Sequence, residues 1–389
     1  MKCIGEKMIR NERRYSRNQF HWIPENDDDL LYALWQSFNM AKRAKLRTED
    51  EHKFDAYSMD NLMRLEEDII SRRYEPSGGR AFIIFDPVIR EIFAASFRDR
   101  IVHHFLYAMT GFWWDNRFIY DSYSCRDGKG TLLGAQRVQK FMEKASLAGS
   151  RPAYVLKGDL SGYFMSINRE KLFSQILWGL DRQFPDHGWE YEICRFLWAE
   201  VILDDPVEKV QIVGSKAEWK SVPKNKSLFA QPSGQGIVIG NYTSQLSSNI
   251  YLDTFDRFMK FDLGFEFYGR YVDDFVVVVP EEQFEYAKLM FFQVIPEFLE
   301  SMELKMHPKK IYIQPIEKGV PFLGVKVYRT MLLPGNRMKD NFYKAVEEYM
   351  NGTDSRDESI ISRLGMGKNV LSKWLNQKVF ESVGWEYRF

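Results

Sequence analysis

Two hydrophobic runs separated by a short polar break form the clearest pattern in the chain. Apolar and aromatic residues dominate Phe265–Tyr271, four valines occupy 276–279, and Pro280 ends the second run. Aromatic and β-branched residues favour strands, so the pattern predicts a β-hairpin. The adjacent carboxylates of Asp273 and Asp274 fall in the break, at the predicted tip.

Helix-like spacing of apolar residues alternates along the chain with short strand-like runs. The helical pattern predicts helices at residues 28–45, 59–70, 132–142, 168–180, 281–304, 341–350 and 370–380, and a further amphipathic helix after Gly240. The strand-like runs predict strands at residues 82–85, 153–159, 210–213 and 311–313, and a hairpin within 319–327. This mixture of helices and antiparallel strands predicts an α+β fold.

The paired carboxylates at the hairpin tip are candidate metal ligands. Two like charges side by side repel each other, and a hard divalent cation such as Mg²⁺ would relieve the repulsion. A solvated acidic turn is the alternative interpretation. A third carboxylate, Asp159, ends the predicted strand 153–159 and precedes a helix that starts at Asn168. This position suits a metal ligand at a sheet edge, although an aspartate there is also a helix-start signal.

Length and composition predict an ordered chain with a large core. The sequence has 389 residues, of which 15% are aromatic, enough for two or three subdomains and unlike a disordered chain. It contains no run of about 18 apolar residues, and residues 1–6 contain no apolar stretch, so we expect neither a membrane span nor a secretory signal. The three cysteines are widely spaced, which indicates a reducing cytoplasm and no cysteine-based zinc site.

Charge is balanced, with 54 basic and 54 acidic residues. Proteins that grip nucleic acid are usually basic, but a local groove matters more than the net charge. The balance suggests that a partner supplies part of the positive charge. Six basic residues lie in 1–20, either as an arm on nucleic acid or as a solvated terminus.

Several blocks, in the right order within residues 80–330, resemble reverse transcriptases. Tyr271-x-Asp-Asp resembles the catalytic signature of that family, and Phe97–Leu106, with its Arg-Asp-Arg, resembles the first block of the prokaryotic enzymes. Cys125–Thr131 resembles their fingers block, and Gly319–Val327 resembles the Phe-Leu-Gly hairpin that closes the palm. Taken alone, Arg98-Asp99-Arg100 could be a surface helix face whose charges pair with one another. The loop Cys125–Thr131 could be an ordinary loop that precedes a helix.

The block at 236–245 narrows the resemblance to one group. Most reverse transcriptases carry Gln-Gly-x-x-x-Ser-Pro there, whereas this chain has Ile239-Gly240-x-x-x-Ser244-Gln245. Together with Lys226-Ser-Leu-Phe, this replacement is similar to the reverse transcriptases of diversity-generating retroelements.

The resemblance implies a right-hand polymerase fold with fingers, a palm made of an antiparallel sheet with helices, and a small α-helical thumb. The implied division is an N-terminal helical extension at 1–77, fingers at 78–150, a palm at 151–330 with a fingers-associated insertion at about 204–236, and a thumb at 331–389.

The resemblance also implies roles for individual residues. Asp159, Asp273 and Asp274 would be catalytic and hold two Mg²⁺ ions, with Mn²⁺ able to substitute. The implied nucleotide-binding residues are Arg126, Lys129, Phe164, Ile239, Gly240 and Gln245. The implied nucleic-acid-binding residues are Arg98, Arg100, Lys309, Lys310 and Gly324. Core packing is the alternative role for Phe164 and Ile239, and helix capping the alternative for Gln245.

The implied activity is RNA-directed DNA synthesis that copies a template-repeat RNA from a primer and dNTPs into error-prone cDNA. The implied partner is a small basic accessory protein that forms an oligomer, and the implied setting is the cytoplasm, with a bacterial, archaeal or phage-encoded gene. Three alternatives remain open: another prokaryotic reverse transcriptase (retron, phage-defence or group II intron type), a non-catalytic RNA-binding scaffold, and a metal-dependent nuclease.

Overall fold

The computed structural model describes residues 20, 24–43, 48–85 and 88–351. Nearly all of the basic segment at 1–20, the end of the first predicted helix and the predicted helix at 370–380 lie outside these residues. Helices and strands are intermixed along the chain, and the predicted α+β fold class is confirmed. None of the helices described is long and apolar enough to cross a membrane.

The chain divides into two compact units, each built from two separate stretches. The helical unit comprises Met1–Phe118 and Gly162–Thr254, and the sheet unit comprises Ile119–Ser161 and Phe255–Phe389, as far as these ranges are described. The domain boundaries predicted near residues 77, 150 and 330 stay predictions.

Helices make up most of the helical unit. They are α1 (Asp27–Lys42), α2 (Glu49–Ala56), α3 (Ser58–Ile70), α4 (Phe97–Arg117), α6 (Tyr163–Ser166), α7 (Arg169–Gln183), α8 (Trp189–Leu203), α9 (Lys216–Lys220) and α10 (Tyr242–Arg257), whose last three residues belong to the sheet unit. Side-chain caps start five of them, including α4, where Ser96 accepts a hydrogen bond from the Asp99 amide, and α7, where Asn168 accepts one from the Lys171 amide.

A small sheet accompanies these helices. Its strands are β1 (Gly79–Ile84), β2 (Arg90–Ala95) and β4 (Gln211–Ile212), in the order β2–β1–β4. β1 and β2 are antiparallel, with Phe82 opposite Ile92. β4 adds to β1 in parallel through only two residues.

The sheet unit is built around a four-stranded antiparallel sheet. Its strands are β3 (Ala153–Asp159), β5 (Phe267–Tyr271), β6 (Asp274–Pro280) and β7 (Tyr312–Pro315), in the order β5–β6–β3–β7. A second sheet contains β8 (Val320–Phe322), β9 (Val325–Val327) and β10 (Leu332–Pro334). The α-helices in the described part of this unit are α5 (Thr131–Ala145), α11 (Phe284–Leu289), α12 (Ile295–Ser301) and α13 (Asn336–Met350).

The valine run of β6 is buried on both faces. Val276 and Val278 join the core cluster that contains Val138 and Phe141 of α5. On the opposite face, the ring of Phe275 packs edge-on against Phe255, with their centroids 5.3 Å apart. Because both faces of the strand are covered, its residues form a continuous apolar run and apolar and polar residues do not alternate along it.

The single helix predicted at 281–304 is divided in the structure. A π-helical turn at Met290–Val294 separates α11 from α12, and α12 ends at Ser301. Such turns interrupt the regular hydrogen-bond ladder without changing the apolar spacing much, so the sequence pattern does not reveal them.

Candidate active site

Three carboxylates meet where β3 and β6 pair. Asp159 stands opposite Asp274 in the antiparallel register. Tyr271 also stands opposite Asp274, so the two-residue turn of the predicted hairpin is Val272-Asp273, and Asp274 begins β6 instead of lying at the tip. The structure therefore brings together the three aspartates that the sequence predicts as a site, and their catalytic and metal-binding roles stay predictions.

Backbone hydrogen bonds fix this cluster from two sides. The Leu160 amide donates to the Asp273 carbonyl at 3.0 Å, so the residue after β3 holds the turn. The His307 amide donates to the Asp159 carbonyl at 2.7 Å. The position of the carboxylates is thus set by main-chain contacts from segments far apart in sequence.

The turn itself is conformationally strained. Val272 has a φ of 54°, in the left-handed region where two-residue hairpin turns normally place glycine or asparagine. For a β-branched residue such a conformation costs about 1–3 kcal/mol and persists only where neighbouring contacts enforce it. Strain of this kind is commonly found at functional sites.

Two lysines form ion pairs with two of the three carboxylates. The Lys310 ammonium donates to both carboxylate oxygens of Asp159, at 2.8 and 2.9 Å. Lys157 Nζ lies 3.0 Å from Asp274 Oδ1 and is packed near the rings of Tyr312 and Phe322. The sequence predicts Lys310 as a nucleic-acid contact. It predicts no role in the site for Lys157.

Burial and mutual repulsion shift the acidities of the cluster. Burial, followed by the charge of Asp159, raises the pKa of Asp273 to about 6. Burial also raises the pKa of Asp274, against the opposing effect of Lys157. Burial lowers the pKa of Lys310, but its hydrogen bond to Asp159 and the charges of the three aspartates together outweigh that effect, so the pKa is raised.

The donor chemistry of the cluster fits a hard divalent cation. Carboxylate oxygens are the ligands Mg²⁺ prefers, and the buried Asp274 Oδ1 has the Lys157 ammonium as its neighbour. Among the residues described, however, no three or more Asp, Glu, His or Cys side chains form a ready metal cage. Both Asp159 oxygens accept hydrogen bonds from the Lys310 ammonium instead.

The loop that carries the predicted triphosphate contacts extends the edge of β5. The Arg270 amide donates to the Asp121 carbonyl and the Tyr123 amide donates to the Arg270 carbonyl, each at 2.9 Å. Within the loop, Arg126 donates to the Ser122 carbonyl at 3.0 Å, and Lys129 donates to the Tyr120 carbonyl at 2.8 Å. Both basic side chains therefore reach back to the backbone of their own loop.

Two further predicted contacts belong to the sheet unit. Lys309 is exposed, and its amide donates to His307 Nδ1 at 3.2 Å, immediately before the lysine that holds Asp159. Gly324 lies in the turn between β8 and β9, where its carbonyl accepts a hydrogen bond from the Gly335 amide.

Three predicted nucleotide contacts cluster in the helical unit. Phe164 and Ile239 pack against one apolar cluster, which includes Phe93 and Met165, as their core interpretation predicts. The Ile239 carbonyl accepts a hydrogen bond from the Phe93 amide at 2.9 Å. Gly240 has a φ of +135°, and a Cβ there would lie 2.4 Å from the Phe93 carbonyl oxygen, so the close approach requires glycine.

The remaining predicted residues of this unit lie on two helices. Gln245 is exposed, in the first turns of α10. Arg98 on α4 forms an ion pair with Asp68 at 2.8 Å. Arg100 donates to Thr48 Oγ1 at 3.1 Å. The two arginines are engaged by neighbouring elements, and their contact with nucleic acid stays a prediction.

Comparisons with known proteins find fold similarity only. No family model and no curated protein matches the sequence. Among solved structures, the chain is similar to telomerase from Candida Tropicalis in complex with the TWJ fragment of telomeric RNA, at 12% identity and a TM-score of 0.49, over 84% of this chain and 58% of that one. A telomerase from Candida albicans with the same kind of RNA fragment has a TM-score of 0.46 at 12% identity, over 82% of this chain and 58% of that one.

The chain spans about half to three-fifths of the length of these telomerase structures. At such low identity the likeness concerns the fold and assigns no activity. The functional argument therefore rests on the residues of the site.

Proposed function

We propose that this chain is an RNA-directed DNA polymerase. The observation that carries the proposal is the meeting of Asp159, Asp273 and Asp274 at paired strand ends, with one carboxylate in a strained turn. Phosphoryl transfer needs positioning and charge neutralisation more than covalent participation by the protein. A rigid group of acids at a sheet edge is suited to that task.

In this proposal Asp159 and Asp273 are the principal ligands of two Mg²⁺ ions, and Asp274 has a lesser share. Bound there, Mg²⁺ would make the primer 3′-hydroxyl a better nucleophile and neutralise the triphosphate. Lys157 holds Asp274 at 3.0 Å and limits the repulsion within the cluster. Lys310, which donates to both Asp159 oxygens, would have to release them to a bound cation.

Other side chains would position the nucleotide. Arg126 and Lys129 exchange their carbonyl partners for the triphosphate, which Arg126 can bind through two parallel hydrogen bonds. Phe164 would reject ribonucleotides, a role that rests on its resemblance to the aromatic residue at this place in reverse transcriptases.

Primer extension on an RNA template tests the proposal. We expect the purified chain to extend a DNA primer with dNTPs in Mg²⁺, to lose that activity in excess EDTA and to regain it when Mg²⁺ is restored. Reactions without template, and reactions with ribonucleotides, are the controls. A folded protein that extends no primer on any template, in Mg²⁺ or Mn²⁺, would contradict the proposal.

We propose further that the enzyme serves a diversity-generating retroelement and makes errors opposite template adenine. Ile239-Gly240-x-x-x-Ser244-Gln245 supports this, because a stiff β-branched side chain and a glutamine in place of proline alter the segment that would line the nascent pair. Sequencing the cDNA from the same reactions should show errors concentrated at adenine and changed by Ile239→Ala and Gln245→Pro. Adenine error rates that are the same in all three proteins would exclude this segment from fidelity.

A small basic accessory protein is the partner we propose, since the chain itself has no net charge. We expect the chain alone to bind template RNA weakly at physiological salt. Adding the accessory protein should raise the affinity and steepen its dependence on KCl, because more phosphates are neutralised. Tight RNA binding by the chain alone, with a steep salt dependence, would contradict this partnership.

A further inference from the structure

Arg270 lies at the centre of a buried polar network beneath the strained turn. Its side chain is 1% exposed, and its guanidinium forms two parallel bonds to Asp256, Nε to Oδ1 and Nη2 to Oδ2, both at 2.7 Å. The Tyr268 hydroxyl donates to the same carboxylate at 2.6 Å. The bonds to Asp256 therefore hold the guanidinium in one orientation.

The opposite side of the guanidinium reaches the turn. Arg270 Nη1 donates to the Val272 carbonyl at 2.9 Å. That carbonyl belongs to the peptide that leads into Asp273, so fixing it fixes the direction in which the chain enters the carboxylate-bearing residue. The main chain of Arg270 is itself held on both sides, by the Asp121 carbonyl and the Tyr123 amide.

Stability alone is a poor explanation for this arrangement. Replacing a buried ion pair with apolar residues of similar volume is often neutral or stabilising, because desolvation offsets the attraction between the charges. A positive φ at a β-branched residue, by contrast, requires an external restraint. Arg270 provides such a restraint at Val272, the residue with that conformation.

We propose that Arg270, anchored by Asp256, is a positioning residue that holds the Val272–Asp273 turn and thereby aims the Asp273 carboxylate. The inference rests on the proposed function for its catalytic consequence. Its structural part, restraint of the turn, is independent of whether the chain polymerises DNA.

Hydrogen exchange of the turn and steady-state kinetics together test the role of Arg270. Arg270→Met keeps a long side chain without donors, and Arg270→Lys keeps one donor. In Arg270→Met we expect faster amide exchange in the peptide that spans 271–275. We also expect kcat to fall about 10- to 100-fold, the usual effect of losing a residue that orients a ligand, with the KM for dNTP little changed. Arg270→Lys should recover part of both effects.

A second, partly buried ion pair provides the control for general destabilisation. In the helical unit, Arg117 Nε lies 2.7 Å from Asp253 Oδ2, and the Asp253 side chain is 5% exposed. Arg117→Met should lower the melting temperature without changing exchange in 271–275 or the kcat of the folded enzyme.

The outcomes separate this inference from the proposed function. Faster exchange in the turn with a wild type that extends no primer would support the restraint and contradict the polymerase. Unchanged exchange and unchanged kcat in Arg270→Met would overturn the positioning role, even if the wild type is an active reverse transcriptase.

Discussion

Asp273→Asn is expected to reduce primer extension by roughly a thousandfold, about 4 kcal/mol in the activation barrier. The amide has the same shape as the carboxylate but removes the negative charge that would hold Mg²⁺. Because burial and the charge of Asp159 already disfavour ionised Asp273, losing the charge should not destabilise the metal-free fold. Single-turnover extension on a defined RNA template measures the rate, and thermal unfolding checks the fold.

Asp262→Asn is the matched control for this change. Asp262 is an exposed aspartate of the same unit and follows α10. It should leave both the extension rate and the melting temperature unchanged. Near-normal extension by Asp273→Asn would remove the turn carboxylate from the mechanism, and with it the main support for the proposed activity.

Gly158→Ala is expected to destabilise the sheet unit by about 1–3 kcal/mol, the usual cost of overpacking. Gly158 stands opposite Phe275 in the β3–β6 register, and a Cβ there would lie 2.4 Å from the Phe275 ring. The ring is fully buried, so it cannot move aside freely. The displacement would also disturb Asp159, the next residue, so activity should fall further than stability. Urea unfolding and primer extension measure the two effects.

Two comparisons make the Gly158 prediction specific. Gly188→Ala adds a methyl group that would approach only the flexible end of Glu190, so it should be nearly neutral. The double variant Gly158→Ala with Phe275→Leu should lose less stability than the sum of its single changes, because the smaller side chain makes room. If the stability losses of the two single variants simply add in the double variant, contact with the Phe275 ring is not the cause of the destabilisation.

The hairpin and its acidic tip could be predicted from sequence because local rules govern both. Strand-forming runs on either side of a polar break predict the turn, and Pro280 ends the second strand. The proximity of Asp159 followed only from a family resemblance. Strand pairing between residues so far apart depends on register, which no local pattern reveals.

The supporting residues of the site could not be predicted in the same way. Lys157 follows the apolar run Ala153–Leu156 in β3, where a lysine is normally expected to face solvent. It is buried because its ammonium forms an ion pair with Asp274 and lies near two aromatic rings. The significance of Arg270 likewise appears only when Asp256 and the Val272 carbonyl are seen around one guanidinium.

Tertiary contacts also explain a strand that the pattern did not predict. β2 contains the charged residues Arg90 and Glu91, which argue against a buried strand. Glu91 is nevertheless buried, because its carboxylate accepts a hydrogen bond from the Leu228 amide at 2.7 Å. A carboxylate oxygen that accepts a hydrogen bond from a distant backbone amide can be buried, although its sequence context does not indicate it.

The central place of β3 in its sheet has a consequence for synthesis on the ribosome. β3 ends at Asp159, but its two neighbours are β6, which ends at Pro280, and β7, which ends at Pro315. A nascent chain therefore carries this apolar strand with both edges unpaired until residues 274–315 have emerged. Apolar strands with unpaired edges tend to associate with other chains. Slow translation through this interval should therefore favour aggregation, and a holdase chaperone bound to residues 153–159 should improve the yield of folded protein.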